Sequence, residues 1–199
     1  MFDINPEIKV KIINCDNKIL FIIDNFYKNP DEIRNYALKS KKYCDEHLLA
    51  SAIGRRVCED DLRLSFYMKD IFKELCTHPK WHIEFDQNHY DYKWSGMRFM
   101  VNVTNNKEIL LDGRDHIEHI DGPLNKWACV VYLNIDEECE GGTSFYSWDG
   151  CDNHLAKLEY TAKMKYNRAV LYDANMVHGA IMNKDMFKTC DRLVQVMFM

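Results

Sequence analysis

The sequence predicts an α+β chain, mainly β, in which helices come first and many short strands follow as a sandwich or barrel. Three observations carry this. Apolar residues at helical spacing concentrate in the N-terminal half. From Gly96 onward, β-rich runs alternate with turn residues. Among those runs, Ala128-Cys129-Val130-Val131-Tyr132-Leu133-Asn134 is apolar enough to be a central strand, buried on both faces.

The chain of 199 residues suits one domain, with residues 1–95 as helical and strand support and residues 96–199 as the core. Aromatics are frequent and no long charge block occurs, which argues against disorder. The net charge is −5 and the basic residues are scattered, which argues against nucleic acid as the main partner. No apolar run reaches membrane-spanning length and no charged-then-apolar leader is seen, so the expected compartment is the cytoplasm and no membrane partner is expected. The 8 cysteines include no Cys-x-x-Cys pair, and they read as reduced thiols, several of them packed as small apolar residues.

Taken in order, residues 7–13 and 18–24 read as strands joined by a turn at Cys15-Asp16-Asn17. Asn29-Pro30-Asp31-Glu32 reads as a helix start: Asn29 can cap, Pro30 fits the first turn, and two acids sit at the positive end of the dipole. Ile33, Tyr36 and Ala37 give that helix its buried face. A second helix is expected from about Asp60, with Leu64, Met68, Ile71 and Leu75 in one stripe and His78-Pro79 as its end. Residues 81–94 mix aromatics and charges with no clean period and read as an irregular cleft segment. Met97–Thr104 alternates as a strand and Asn105-Asn106 reads as a turn. Gly141-Gly142 breaks the chain before a strand at Thr143–Trp148, residues 154–164 fit a short helix through Leu155 and Leu158, and Arg168–Tyr172 and Leu193–Phe198 close the strand set.

The candidate site starts from His-x-Asp/Glu pairs. Simple counting expects roughly one such pair by chance. The chain has four: His82/Glu84, His89/Asp91, His116/Glu118 and His119/Asp121. Residues at i and i+2 on an extended segment share a face, so both side chains can reach one metal. The last two pairs lie just upstream of the strong strand, and His119/Asp121 is the nearer, with Gly122-Pro123 as a following turn. His116/Glu118 is its competitor. A returning third ligand is available at His154 or His178, and His178 follows an apolar strand. Two imidazoles and one carboxylate hold a non-haem iron(II) on one face and leave other positions open. A reducing compartment suits ferrous iron.

The order His119-x-Asp121, Tyr132-Leu133-Asn134, Gly141-Gly142-Thr143, Asn167 to Asp173, His178-Gly179-Ala180 and Arg192 resembles the iron(II)/2-oxoglutarate-dependent dioxygenases, prolyl-4-hydroxylase-like branch. The resemblance covers residues 97–199, and Asn25-Phe26-Tyr27-x-x-Pro30 extends it toward the first helix. It implies a double-stranded β-helix, or jelly roll, with N-terminal supporting helices. His119, Asp121 and His178 would be metal ligands and carry catalysis, while Tyr132 and Arg192 would bind the distal carboxylate of 2-oxoglutarate. The gap from His178 to Arg192 is longer than is usual in this branch, and Asn183–Lys188 reads as an extended turn that absorbs it.

The resemblance implies iron(II), 2-oxoglutarate and O2, with ascorbate as an optional reductant. The implied reaction releases succinate and CO2 and hydroxylates a C–H bond. Halogenating relatives carry a small residue where Asp121 stands, so Asp121 favours hydroxylation. The substrate is expected to be a peptidyl residue or a small metabolite. Two rivals stand beside this reading. One is a jelly-roll binding module without catalysis. The other is a zinc hydrolase using the same three ligands and water.

Overall fold

The computed structural model describes residues 2–15, 17–40, 54–59, 99–112, 118–122, 125–147 and 156–198. In chain order the elements are β1 (Lys9–Cys15), β2 (Lys18–Asp24), α1 (Pro30–Lys39), β3 (Arg55–Glu59), β4 (Phe99–Thr104) and α2 (Asn106–Asp112). They continue with β5 (Trp127–Tyr132), a 3-10 turn (Asp136–Glu138), β6 (Gly142–Ser147), β7 (Lys157–Lys163), β8 (Ala169–Asp173), β9 (Val177–Ile181) and β10 (Arg192–Phe198). Seven strands form one sheet in the order β1-β2-β8-β5-β10-β4-β3, and three form a second in the order β7-β6-β9. Every pairing is antiparallel, and the two sheets make a jelly-roll sandwich. No described helix is long and apolar enough to cross a membrane.

The continuous apolar runs have a simple cause: the large sheet is covered on both faces. Side chains alternate along each strand. Phe21, Ile23, Cys129, Val131, Ala169, Leu171, Leu193 and Met197 point to one face and pack with Ile33 and Ala37 of α1. Leu20, Ile22, Ala128, Val130, Val170, Tyr172, Val194 and Val196 point to the other and pack with Phe145 and Ala162 of the small sheet. β5 is the fourth of the seven strands, as its composition requires.

Local structure departs from expectation at several points. Asn29 occupies the position before α1, but its side chain makes no capping bond; Pro30 and the acids of the first turn are in place. Asn105-Asn106 opens α2 rather than a plain turn. The Glu108 amide donates to Asn105 Oδ1 (3.0 Å) and the Asn105 amide donates to Glu108 Oε2 (2.8 Å), a reciprocal cap that satisfies two helix-end donors. The helix expected over 154–164 is replaced, from Lys157 to Lys163, by β7. Pairing with β6 from Gly142↔Lys163 to Ser147↔Lys157 gives its backbone groups their partners, and Leu158 is left exposed. Cys58 is disulfide-bonded, which corrects the reading of all thiols as reduced; Cys15, Cys129, Cys139 and Cys190 are thiols. The second expected helix, the aromatic segment 81–94, His116 and His154 lie outside the described residues.

Candidate active site

The site is assembled by strapping one extended segment against another. The His119 amide donates to the His178 carbonyl and the His178 amide donates to the His119 carbonyl, both at 2.9 Å. The amides of Asp121 and Gly122 both donate to the Ala174 carbonyl, at 2.8 and 2.9 Å. A Cβ at Gly122 would displace the exposed Asn175 side chain, whose Oδ1 lies 2.2 Å from that position. Extended backbone at 119–121 puts His119 and Asp121 on one side, facing His178 on β9.

The three side chains converge. His119 Nε2 is 3.6 Å from Asp121 Oδ1, and His178 Nε2 is 3.3 Å from Asp121 Oδ2. One ligand atom from each lies within 4.8 Å of the others. His178 is buried, and its Nδ1 faces the Met176 carbonyl at 2.9 Å. Nδ1 therefore carries the ring proton and Nε2 presents a lone pair. Burial alone would raise the Asp121 carboxyl, but its bonds to His119 and His178 hold it well below the usual carboxylate range. Asp121 is thus an anion beside two nitrogen donors. Glu118 of the competing pair is exposed.

Tyr172 joins this cluster without having been expected there. Its hydroxyl is 3.0 Å from Asp121 Oδ2 and 3.0 Å from His178 Nε2. Burial first, and the Asp121 charge second, keep its phenol well above the ordinary range. The alternation of β8 was the available signal, because Val170 and Tyr172 share the face that meets the small sheet.

A cavity opens between the sheets, lined by His119, Asp121, His178, Tyr172, Thr143 and Arg192, among others. Arg192 is 4% exposed, and its Nε has no hydrogen-bond partner among the described residues. Burial pushes its guanidinium down to about 10, offset only by the nearby Tyr132. A buried cation left this way calls for an anionic ligand. Tyr132 is fully buried, and its hydroxyl donates to Thr143 Oγ1 at 2.8 Å; Thr143, rather than Tyr132, lines the cavity. Arg168 is committed elsewhere, with Nε and a terminal nitrogen on the two oxygens of Asp24 at 2.6 and 3.1 Å. Arg56 on β3, held by Asn102 Oδ1 at 2.7 Å, also lines the cavity, and nothing local in the sequence marked it.

The segment between β9 and β10 is fastened at several points. Asn106 Nδ2 donates to the carbonyls of Lys184 (3.0 Å) and Met186 (2.7 Å). Phe187 is buried, and its amide donates to the Glu140 carboxylate. Asn134 spans the start of β10, with Nδ2 donating to the Asp191 carbonyl (2.8 Å) and Oδ1 accepting from the Leu193 amide (2.7 Å).

No family model and no curated protein matches the sequence. Among solved structures, a prolyl 4-hydroxylase from Phytophthora capsici aligns with a TM-score of 0.52 at 14% identity, over 90% of this chain and 57% of that one. The chain shares that prolyl 4-hydroxylase's fold. It spans little more than half of that protein's length. A prolyl-4-hydroxylase from Pseudomonas putida aligns with a TM-score of 0.47 at 12% identity, over 85% of this chain and 86% of that one. The non-heme alpha ketoglutarate dependent epimerase SnoN from nogalamycin biosynthesis aligns at 0.49 and 13%, over 92% and 77%. In this prolyl-4-hydroxylase-like jelly roll the cluster of two histidines and an aspartate lies between the two sheets, beside Arg192.

Proposed function

We propose that this protein is an iron(II)- and 2-oxoglutarate-dependent oxygenase that hydroxylates a C–H bond of a peptidyl residue or small metabolite. One observation carries the reading: a His-Asp-His donor set and a buried arginine with no ion pair among the described residues line the same cavity. The donor chemistry fits iron(II), since two neutral imidazoles and a carboxylate suit it and leave positions open. His119, Asp121 and His178 would hold the ion. With 2-oxoglutarate and O2, iron supplies oxidative decarboxylation to succinate and CO2 and insertion of one oxygen atom into a C–H bond.

The remaining work belongs to the chain. Arg192 binds the distal carboxylate of 2-oxoglutarate, because its planar fork can make two parallel bonds to one carboxylate. Thr143 adds a hydroxyl, and Tyr132 holds that hydroxyl in place. The Met176 carbonyl fixes the His178 tautomer. Val130, Val194, Val196 and Met182 keep the cavity wall apolar and limit water.

The test is mass spectrometry of cell extract incubated with the protein, iron(II), ascorbate and 2-oxoglutarate. The expected products are succinate and species heavier by one oxygen atom that derive label from O2. Turnover that persists under argon, or label arriving mainly from water, overturns the proposal and favours a hydrolase. Iron binding with no succinate formed favours a binding module.

A further inference from the structure

We propose that Tyr172 is a fourth protein donor to the metal in the resting site, an oxygen ligand that 2-oxoglutarate displaces. The inference rests on reading His119, Asp121 and His178 as metal ligands. Its basis is a small triangle of atoms. Tyr172 Oη is 3.0 Å from Asp121 Oδ2 and 3.0 Å from His178 Nε2, and those two are 3.3 Å apart. Donors about 2.1 Å from an octahedral ion, at right angles to one another, lie about 3.0 Å apart. The triangle therefore has the dimensions of one octahedral face.

A cation between the three atoms would engage a lone pair of each. The ring is buried against Phe145 and His178, with centroids 5.1 and 4.6 Å distant, which keeps its hydroxyl near Asp121 whether or not it coordinates.

Four protein donors leave fewer positions than a bidentate keto acid and O2 together require. The phenol must therefore yield one position when 2-oxoglutarate binds, with Asp121 Oδ2 remaining as its hydrogen-bond acceptor. When the phenol coordinates, its O–H bond breaks, an oxygen–metal bond forms, and the proton leaves to solvent.

The test uses the full chain loaded with one iron(II) under argon. Ferricyanide then takes one electron from each iron, becoming ferrocyanide, and is removed by desalting. A phenolate donor gives the ferric site a visible charge-transfer band whose resonance Raman spectrum carries phenolate modes. The native protein should show this band and lose it on addition of 2-oxoglutarate. Tyr172→Phe should bind one iron without the band; Tyr172→Met, of similar bulk, serves if the Phe variant does not fold. A native protein that binds iron and shows no band overturns the inference. So does a band that survives in both variants, or one that saturating 2-oxoglutarate leaves untouched. Native protein that binds no iron overturns the metal reading itself.

Discussion

The two faces of the large sheet bury polar groups in opposite ways. On the face toward α1, Tyr27, Gln195 and Asn167 form a neutral network bonded among its own members. Tyr27 Oη donates to Gln195 Oε1 at 2.9 Å, and the Asn167 side chain bonds both the amide and the carbonyl of Tyr27 at 2.8 Å. On the face toward the small sheet, Asp121 and Arg192 add charges to the neutral hydroxyls, and Arg192 Nε has no hydrogen-bond partner among the described residues. The first arrangement fixes one packing of α1 and β2 on the sheet. The second presents the Arg192 charge to the cavity. A satisfied polar core supports the fold, and an unsatisfied one marks where a ligand is missing.

Substitutions can break this contrast in order of effect. Replacing His119, Asp121 or His178 with Ala should abolish iron(II) binding while the melting curve stays cooperative, whereas His116→Ala should leave one iron bound; anaerobic metal analysis decides it. Iron retained by His119→Ala and lost by His116→Ala would move the ligand pair to His116 and Glu118. Arg192→Ala should raise the KM for 2-oxoglutarate about thirty-fold or more, the equivalent of losing a buried charged contact of about 2–5 kcal/mol. The same variant should melt no lower than the parent, because a buried cation with no ion pair among the described residues is gone. On the α1 face the signs reverse. Tyr27→Phe removes the bond to Gln195 Oε1 and should cost about 1 kcal/mol in chemical denaturation, with the KM unchanged.

The smallest effect concerns the half-buried Asp24–Arg168 pair. Burial would raise the Asp24 carboxyl, yet bonds from Arg168 and Lys165 lower it overall. A lowered folded-state carboxyl contributes stability above its unfolded value of about 3.9 and loses it as pH falls through the folded value. Asp24→Asn should cost about 1 kcal/mol at neutral pH and remove this part of the acid dependence, as denaturation across pH would show. Arg168→Ala should leave the 2-oxoglutarate KM within a few-fold.

What the sequence made legible was whatever depends on local period. β5, β8 and β10 are readable because a sheet covered on both faces needs continuous apolar runs. His119 and Asp121 are readable because i and i+2 share a face on extended chain. Lys157–Lys163 is legible but misread: Leu158, Tyr160 and Ala162 alternate with polar residues, a strand period that the helical reading of 154–164 passes over, and pairing to β6 completes the strand. What stayed hidden depends on partners far along the chain. The seven residues of α2 are too few to show a period, so the Asn105–Glu108 cap looked like a turn. Tyr132 and Thr143 share the inner surface, and which hydroxyl reaches the cavity is decided by packing across two sheets. Tyr172 was visible as a core aromatic, but its meeting with Asp121 depends on a bond pattern between residues 121 and 174.

The fastened segment ahead of β10 bears on the thermodynamics of ligand capture. Immobilising a rotamer-rich side chain at the moment of binding costs about 0.5–1.5 kcal/mol. Here Asn106, Glu140 and Asn134 tie the chain on both sides of the turn, and Arg192 enters the sheet already ordered against Thr104. That entropy is lost once, when the chain folds, and not again with each molecule of dicarboxylate. Capture should therefore be enthalpically favourable with little opposing entropy from the protein. An Asn106→Ala chain, its turn loosened, should bind with a similar enthalpy and a less favourable entropy by calorimetry.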